Sequence, residues 1–429
     1  MSQFALFDDV LPKKKLSTNL TTRNHAVHRW FNFIAGFAPE FVSSCIKSSG
    51  VNPTNGLLID PFAGTSTSLV QANIDGIRSI GYEPHPFFFD ISQAKLRRCD
   101  PEGVTQIEEE CMALTAASED LSSIWSQNAL KFLKKLVPES ELRILASALK
   151  VEPQVPEKNR PMFRLVVSRA LEATTNSQTD GIYKAPTSAK PSKRFLESIP
   201  TICKEIREDI FSTSDFYINR ATLCAGSSQQ MGDVKEGSCS VCVTSPPYLN
   251  NFDFAEMTRM ELYFWKYAGS WGEITELVRR KLIVNTTTAP TDLKRRQAQF
   301  KKSLSSSLIS ELEPLVSELR ATKKARAGSK DYDQLVYPYF SQMQEVISEL
   351  YRVLAPNAPL HLLVADAALY GVHIHTEQLL ANVMREKGFE IEKIDRLRNR
   401  GDRWILDKRQ GSSIPLGEFH IHARRKRRP

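Results

Sequence analysis

Two hydrophobic rhythms alternate along this chain. Short continuous apolar runs of strand length give way, after a turn, to segments whose apolar residues recur every three or four positions. Leu57, Leu58 and Ile59 form the first run. It closes in the turn Asp60-Pro61-Phe62-Ala63-Gly64, and residues 65–72 read as a helix. A second strand over 77–82 ends at Glu83-Pro84, and a helix is expected over about 87–98. Strands are expected again over 216–222, 239–244, 360–364 and 389–394, with 417–422 as a last edge strand. Helices are expected over 340–354, stopped by Pro356, and over 376–386, closed by Gly388. Upstream, Trp30, Phe33, Phe37, Phe41 and Val42 suggest a further helix. Strands alternating with helices imply a parallel sheet with crossover helices, an α/β fold.

Two stretches break the rhythm. Residues 101–214 are mostly helical in pattern, with a Pro/Ser/Thr-rich part at 185–192, and read as a helical insertion. Residues 270–335 read as a second, basic insertion and a candidate for target recognition. The rest divides into three parts of one core: 1–100 with the first turn, 215–269, and 336–429 with a basic tail.

Charge sharpens that division. The chain of 429 residues has a net charge of +8. Residues 271–330 hold 13 Lys and Arg against 6 Asp and Glu, and 391–429 hold 12 against 5, whereas 101–214 hold 15 against 16. Cations gathered in two segments suit a polyanion, although a solvated basic face would look the same. No apolar run spans a bilayer, and the first twenty residues, with Lys13, Lys14 and Lys15, lack a signal-peptide core. A cytoplasmic protein is expected, and seven scattered cysteines suit reduced thiols.

Two motifs carry chemistry. The first, Asp60 to Thr67, stands at the C-terminal end of a strand, the edge where open α/β sheets bind ligands. Ala63 and Gly64 allow close approach of a ligand to the backbone. Neither three spaced glycines nor a Lys-Ser/Thr phosphate loop is present, so a nucleoside cofactor without a pyrophosphate fits better. Glu83, about twenty residues after the turn, can accept hydrogen bonds from both ribose hydroxyls. A tight turn with a helix cap at Thr65 would explain the same residues without a ligand.

The second motif is Thr244-Ser245-Pro246-Pro247-Tyr248, directly after a buried strand. Two prolines fix the backbone and carry no N–H, leaving carbonyls as free acceptors. An exocyclic amino group on a base is a poor nucleophile because its lone pair is delocalised into the ring. Ser245 and the Pro246 carbonyl could accept both amino hydrogens and localise that lone pair, while Tyr248 stacks on the ring. Asn250, Asn251 and Asp253 extend the loop, and local turn-capping accounts for them equally well.

In this order the two motifs resemble those of DNA amino-methyltransferases from restriction–modification and related defence systems. Asp60-Pro61-Phe62-Ala63-Gly64 is similar to the family's cofactor motif, and Thr244 to Tyr248 to its catalytic motif. Serine before the two prolines resembles the branch that methylates N4 of cytosine. Residues 28–41, with Phe37, look like the motif that closes over the methionine end of the cofactor. Residues 349–354 and 362–366 look like the following helix and strand. The resemblance covers about 24–98, 216–268 and 336–424, outside both insertions. The chain departs from it at Ser66, where a second glycine is usual, at Gly226-Ser227-Ser228, where an acidic residue often meets the adenine, and at Gly36, where a Lys is common.

The resemblance implies a Rossmann-like sheet flanked by helices, S-adenosylmethionine as cofactor, and direct displacement on a base flipped out of double-stranded DNA. Cofactor contacts are expected from Phe37, Asp60, Pro61, Phe62, Ala63, Gly64, Thr65 and Glu83, and catalysis from Ser245, Pro246, Pro247 and Tyr248. Asn250, Arg279, Arg280, Lys281, Lys294, Arg295 and Arg296 are the candidate DNA contacts. A cognate restriction or defence nuclease is a candidate partner. An N6-adenine enzyme, an RNA amino-methyltransferase and an inactive nucleic-acid-binding homologue stay open. No Pro-Cys dipeptide occurs, so the covalent route to carbon 5 of cytosine is not expected. Cys239-x-x-Cys242 lacks a second pair, and His373-x-His375 and His420-x-His422 alternate as strand residues do, so no metal is expected.

Overall fold

The computed structural model describes residues 18–179, 184–189, 191–215, 217, 219–250, 252–325, 330–400 and 415–426. Lys13 to Lys15, Asn251 and the tail arginines Arg427 and Arg428 lie outside the described residues. Seven strands form the main sheet: β1 (Leu57–Asp60), β2 (Arg78–Tyr82), β3 (Ala221–Cys224), β4 (Val241–Thr244), β5 (Pro359–Ala365), β6 (Phe389–Asn399) and β7 (Gly417–Arg425). Their spatial order is β6-β7-β5-β4-β1-β2-β3. The neighbours from β3 to β5 pair in parallel, and β7 runs antiparallel to both β5 and β6. This is a Rossmann-like sheet that grows outward one way through β2 and β3 and then the other way through β4 and β5. The reversal falls between β1 and β4, and a crevice opens there at the strand C-termini.

Alternation along the central strands explains why helices cover both faces. Leu58, Val241, Val243 and Leu363 point to the face that α1 (Pro39–Ser49) covers with Phe41, Val42 and Ile46. Ile59, Cys242, Leu360, Leu362 and Val364 point the other way, into a core shared with Phe340, Met343 and Ile347 of α7 (Val336–Val353). Each such fully buried side chain contributes about 1.5–3 kcal/mol. Other helices include α2 (Thr67–Ile74), α3 (Pro86–Leu96), α4 (Arg160–Thr174), α5 (Phe195–Ser212), α6 (Ser306–Lys324) and α8 (Thr376–Glu386). Between β2 and β3 the chain passes through helices, α4 and α5 among them, that share one core with α3. Between β4 and β5 it passes through α6, whose Leu308, Leu312, Val316 and Leu319 are buried. Among the described residues no helix is long and apolar enough to cross a membrane.

Three expectations need correction. The aromatic pattern over 30–42 does not make one helix: the helix begins at Pro39, and Phe31 to Phe37 form a loop. Phe31 and Phe33 pack edge-on against Phe87 and Phe88 of α3, and Phe33 and Phe37 line a cleft, so aromatic packing without a helix mimics helical spacing. The strand expected over 216–222 is Ala221–Cys224. Before it, Tyr217 is buried, its hydroxyl donating to the Lys95 carbonyl at 2.7 Å and accepting from Asn73 at 3.1 Å. The last strand is no edge, because β7 inserts between β5 and β6 and leaves β6 outermost.

Candidate active site

β1 ends in Asp60, a buried carboxylate with three donors. Its Oδ1 accepts from the Phe62 N–H at 3.0 Å and from Thr244 Oγ1 at 2.6 Å, and its Oδ2 accepts from Ser68 Oγ at 2.6 Å. Burial raises the Asp60 carboxyl against the pull of these donors. The turn beyond needs left-handed backbone twice, at Gly64 (φ 55°) and at Ser66 (φ 63°). Glycine adopts that conformation freely, whereas a residue with a Cβ bears about 1–2 kcal/mol. Ser66 is also fully buried, and its hydroxyl finds no partner among the described residues.

Glu83, past the end of β2, braces this turn. One carboxylate oxygen accepts from the Gly64 N–H at 2.8 Å and the other from the His85 N–H at 2.7 Å. Burial nevertheless pushes its carboxyl up to about 8. Burial also holds the His85 imidazole down to about 3. The Thr258 hydroxyl gives its own proton to the Phe254 carbonyl, so at 2.8 Å it accepts from His85 Nε2. The His85 ring stacks on Phe88 at 4.4 Å.

The second motif leaves β4 beside this turn, held by the Thr244–Asp60 hydrogen bond. Ser245 Oγ donates to Tyr248 Oη at 3.4 Å, and the Arg400 guanidinium lies 5.8 Å from the Tyr248 ring centre. Burial pushes the Tyr248 phenol up. The loop is clamped from the segment that follows. Asn285 donates to the carbonyls of Tyr248 (3.4 Å) and Phe252 (3.0 Å), and its own carbonyl accepts from the Asn250 N–H at 2.6 Å. Asp253 accepts from Arg279 at 2.8 Å and from the Thr288 hydroxyl at 2.7 Å.

Both motifs meet on one cleft at the switch point between β1 and β4. Phe62, Ala63, Gly64, Thr65 and Glu83 line it from the first motif, Ser245 and Pro247 from the second. Phe33, Gly36 and Phe37 of the loop before α1 also line it, as do Phe88, His85, Ser228 and Lys281. Asp60, Pro61, Pro246 and Tyr248 are not on it. Asp60, Pro61 and Pro246 are buried behind it, and Tyr248 is half-buried under Arg400. Where the resemblance leads to an acidic residue, the wall presents Ser228.

The basic candidates separate. Arg279 is 5% exposed, paired with Asp253 and set over the Trp271 ring at 4.0 Å. Lys294 is 8% exposed and donates to the Thr287 carbonyl at 2.9 Å. Neither offers a free cation to a phosphate, because each is spent inside the fold. Arg280 is exposed but faces Glu276 at 2.6 Å and Asp292 at 2.9 Å. Lys281, Arg295 and Arg296 are exposed, and Asn250 is half-buried in a left-handed turn (φ 53°).

Sequence reasoning missed the groups that hold the cleft's outer loop. Asp209 of α5 is buried and accepts from the Val27 N–H (2.9 Å), Arg29 Nε (3.1 Å) and Trp30 Nε1 (2.8 Å). Lys95 of α3 donates to the carbonyls of Phe31 (2.9 Å), His28 (3.2 Å) and Thr65 (3.4 Å), and burial brings its ammonium down to about 7. Asp209 and Lys95 are far from the loop in sequence and lie outside any motif, so no local signal marks them.

No family model matches the chain. Among curated proteins it is 22% identical over 468 aligned positions to the type II methyltransferase M.BsoBI of Geobacillus stearothermophilus, covering 96% of this chain and 87% of that protein. It is also 22% identical to the type II methyltransferase M.AvaI of Nostoc sp., covering 89% of this chain and 83% of the relative. Among solved structures, a geranyl diphosphate methyltransferase with sinefungin matches at 8% identity and a TM-score of 0.33, over 95% of this chain and 92% of that one. That score carries no weight, and the strand order alone establishes the fold. The sheet order and the cleft at its switch point define a Rossmann-like α/β fold. Along most of its length the chain is similar in sequence to these two type II methyltransferases.

Proposed function

We propose that this chain is a DNA methyltransferase that uses S-adenosylmethionine to methylate an exocyclic amino group, N4 of cytosine in the first instance. The observation that carries this reading is the meeting of the two motifs on one cleft, with Asp60 and Thr244 hydrogen-bonded behind it. The names of its relatives support a type II methyltransferase, and the serine before the two prolines supports cytosine over adenine.

The wall fits the cofactor by its chemistry. Phe33, Phe37, Phe62 and Phe88 offer apolar surface, the single buried acid Glu83 suits a ribose diol, and nothing in the turn is built for a pyrophosphate. When bound, S-adenosylmethionine supplies an electrophilic methyl group on a sulfonium. The chain's residues supply the rest. Glu83 would hold the ribose, and the loop with Gly36 and Phe37 would exclude water. Ser245 and the Pro246 carbonyl would accept the two amino hydrogens of a flipped base, with Tyr248 against its ring. The neutral His85 adds no charge that would repel a sulfonium. Double-stranded DNA is then the macromolecular substrate, and a cognate nuclease is a partner to be sought.

The test is methyl transfer from labelled cofactor into duplex DNA and into RNA of the same sequence. Label in the duplex alone, abolished in Tyr248→Ala, supports the reading. Label in RNA alone would replace it with the RNA enzyme. No label in either, with cofactor binding intact, would favour a nucleic-acid-binding homologue.

A further inference from the structure

The face of the sheet under α1 holds a second cluster that the reaction does not use. Cys45 of α1, His361 of β5 and His420 of β7 are all buried, and one donor atom from each lies within 4.8 Å of the other two. The residues come from distant parts of the sequence, on one helix and two adjacent strands. His361 Nδ1 and His420 Nε2 face each other at 3.1 Å.

The hydrogen bonds around His361 decide which nitrogen is bare. Ser49 Oγ donates to the Cys45 carbonyl at 2.5 Å, so its contact with His361 Nε2 at 3.3 Å is one in which the imidazole donates. The proton of His361 is therefore on Nε2, and the Nδ1 lone pair points toward His420. A metal-ligating imidazole donates through its far nitrogen in the same way, most often to a carboxylate, a backbone carbonyl or water, and here Ser49 Oγ takes that place. The Phe41 ring, 4.9 Å from that of His420, shields the site from that side.

We propose that Cys45, His361 and His420 form a structural site for a zinc-class metal ion, Zn²⁺ or Cu⁺, that staples α1 to the sheet. Two imidazoles and a thiolate are the ligands such ions select. At ordinary bond lengths they stand about 3.3–3.6 Å apart, which small rotations of these side chains reach. Binding converts the Cys45 thiol to a thiolate and releases its proton to solvent. α1 follows the loop that walls the cleft, so the staple would fix where that loop ends. The proposal does not depend on the reaction assigned above.

The test uses the full chain without a histidine tag, under reducing conditions. Elemental analysis after desalting is expected to find about one metal ion per chain and to name it. A chelator should lower the melting temperature, and either Zn²⁺ or Cu⁺ should restore it. Substitution with Co²⁺ should give a thiolate-to-cobalt charge-transfer band that Cys45→Ser abolishes and Cys239→Ser keeps. The melting comparison needs only the wild-type chain, so a misfolded variant leaves the question decidable. A chain that takes up neither ion in stoichiometric amount, or whose melting does not respond, holds only a hydrogen-bonded histidine pair, and the proposal fails.

Discussion

Thr244 Oγ1 donates to Asp60 Oδ1 at 2.6 Å, and this hydrogen bond ties the turn after β1 to the turn after β4 across the switch point of the sheet. Asp60 does not line the cleft, so its place in the motif is that of a brace. Thr244→Val keeps the shape and removes the donor, leaving a buried carboxylate one partner short. The expected cost is about 1–3 kcal/mol of stability, read by chemical denaturation. Turnover should fall more than cofactor affinity, because Ser245 is the next residue along the chain.

The Glu83 carboxyl gives a pH dependence of known sign. In the free protein burial holds it up to about 8, above its ordinary 4.5, so the folded state retains the proton and stability falls as pH rises between those values. Ribose hydroxyls donate to the ionised form, so cofactor binding expels that proton. Affinity measured by calorimetry should rise with pH, by at most about tenfold per unit, and level off above about 8. Glu83→Gln should bind more weakly and with little dependence on pH.

Asp209 holds the loop over the cleft from α5, outside every motif, through Val27, Arg29 and Trp30. Asp209→Asn should weaken cofactor binding by about tenfold or more, as loss of a charge-assisted bond does, while kcat at saturating cofactor stays near wild type. Equal loss of kcat would assign Asp209 a wider role than the loop.

Much of the core was legible in the sequence because its signals are local. Residues 376–386 are a helix as read, and the run of Leu57 to Ile59 is a strand, since period and turn chemistry decide such elements. The strand read at 216–222 begins only at Ala221, with Phe216 and Ile218 outside the described residues, and the hydrogen bonds of Tyr217 with Asn73 and Lys95 are long-range ones that no periodicity reveals. The site was legible as two motifs but not as a cleft. Their meeting depends on strand order, and Asn285, Lys95 and Asp209 enter it from distant segments. Charge counting found the basic segment between β4 and β5 but could not say which cations the fold consumes, as it does Arg279 and Lys294.

Three of the candidate DNA contacts in that segment stay exposed without an ion pair to Asp or Glu among the described residues, and they give the DNA prediction. Lys281 stands at the cleft, and Arg295 and Arg296 are exposed beyond it. Replacing all three with alanine should weaken duplex binding and flatten its log–log salt dependence by up to about three units, one for each phosphate no longer neutralised. Arg279→Ala should instead lower stability, because it strips Asp253 of its buried partner.

The central claim concerns the atom that is methylated, and nucleoside analysis reads it directly. Duplex DNA is incubated with the chain and labelled cofactor, digested to nucleosides, and the labelled species identified. The account predicts N4-methylcytosine, absent with Tyr248→Ala. N6-methyladenine would keep the amino-group chemistry and correct the base, whereas label on carbon 5 of cytosine would contradict the account, because Ser245 to Tyr248 supply acceptors for an amine and no nucleophile for the ring.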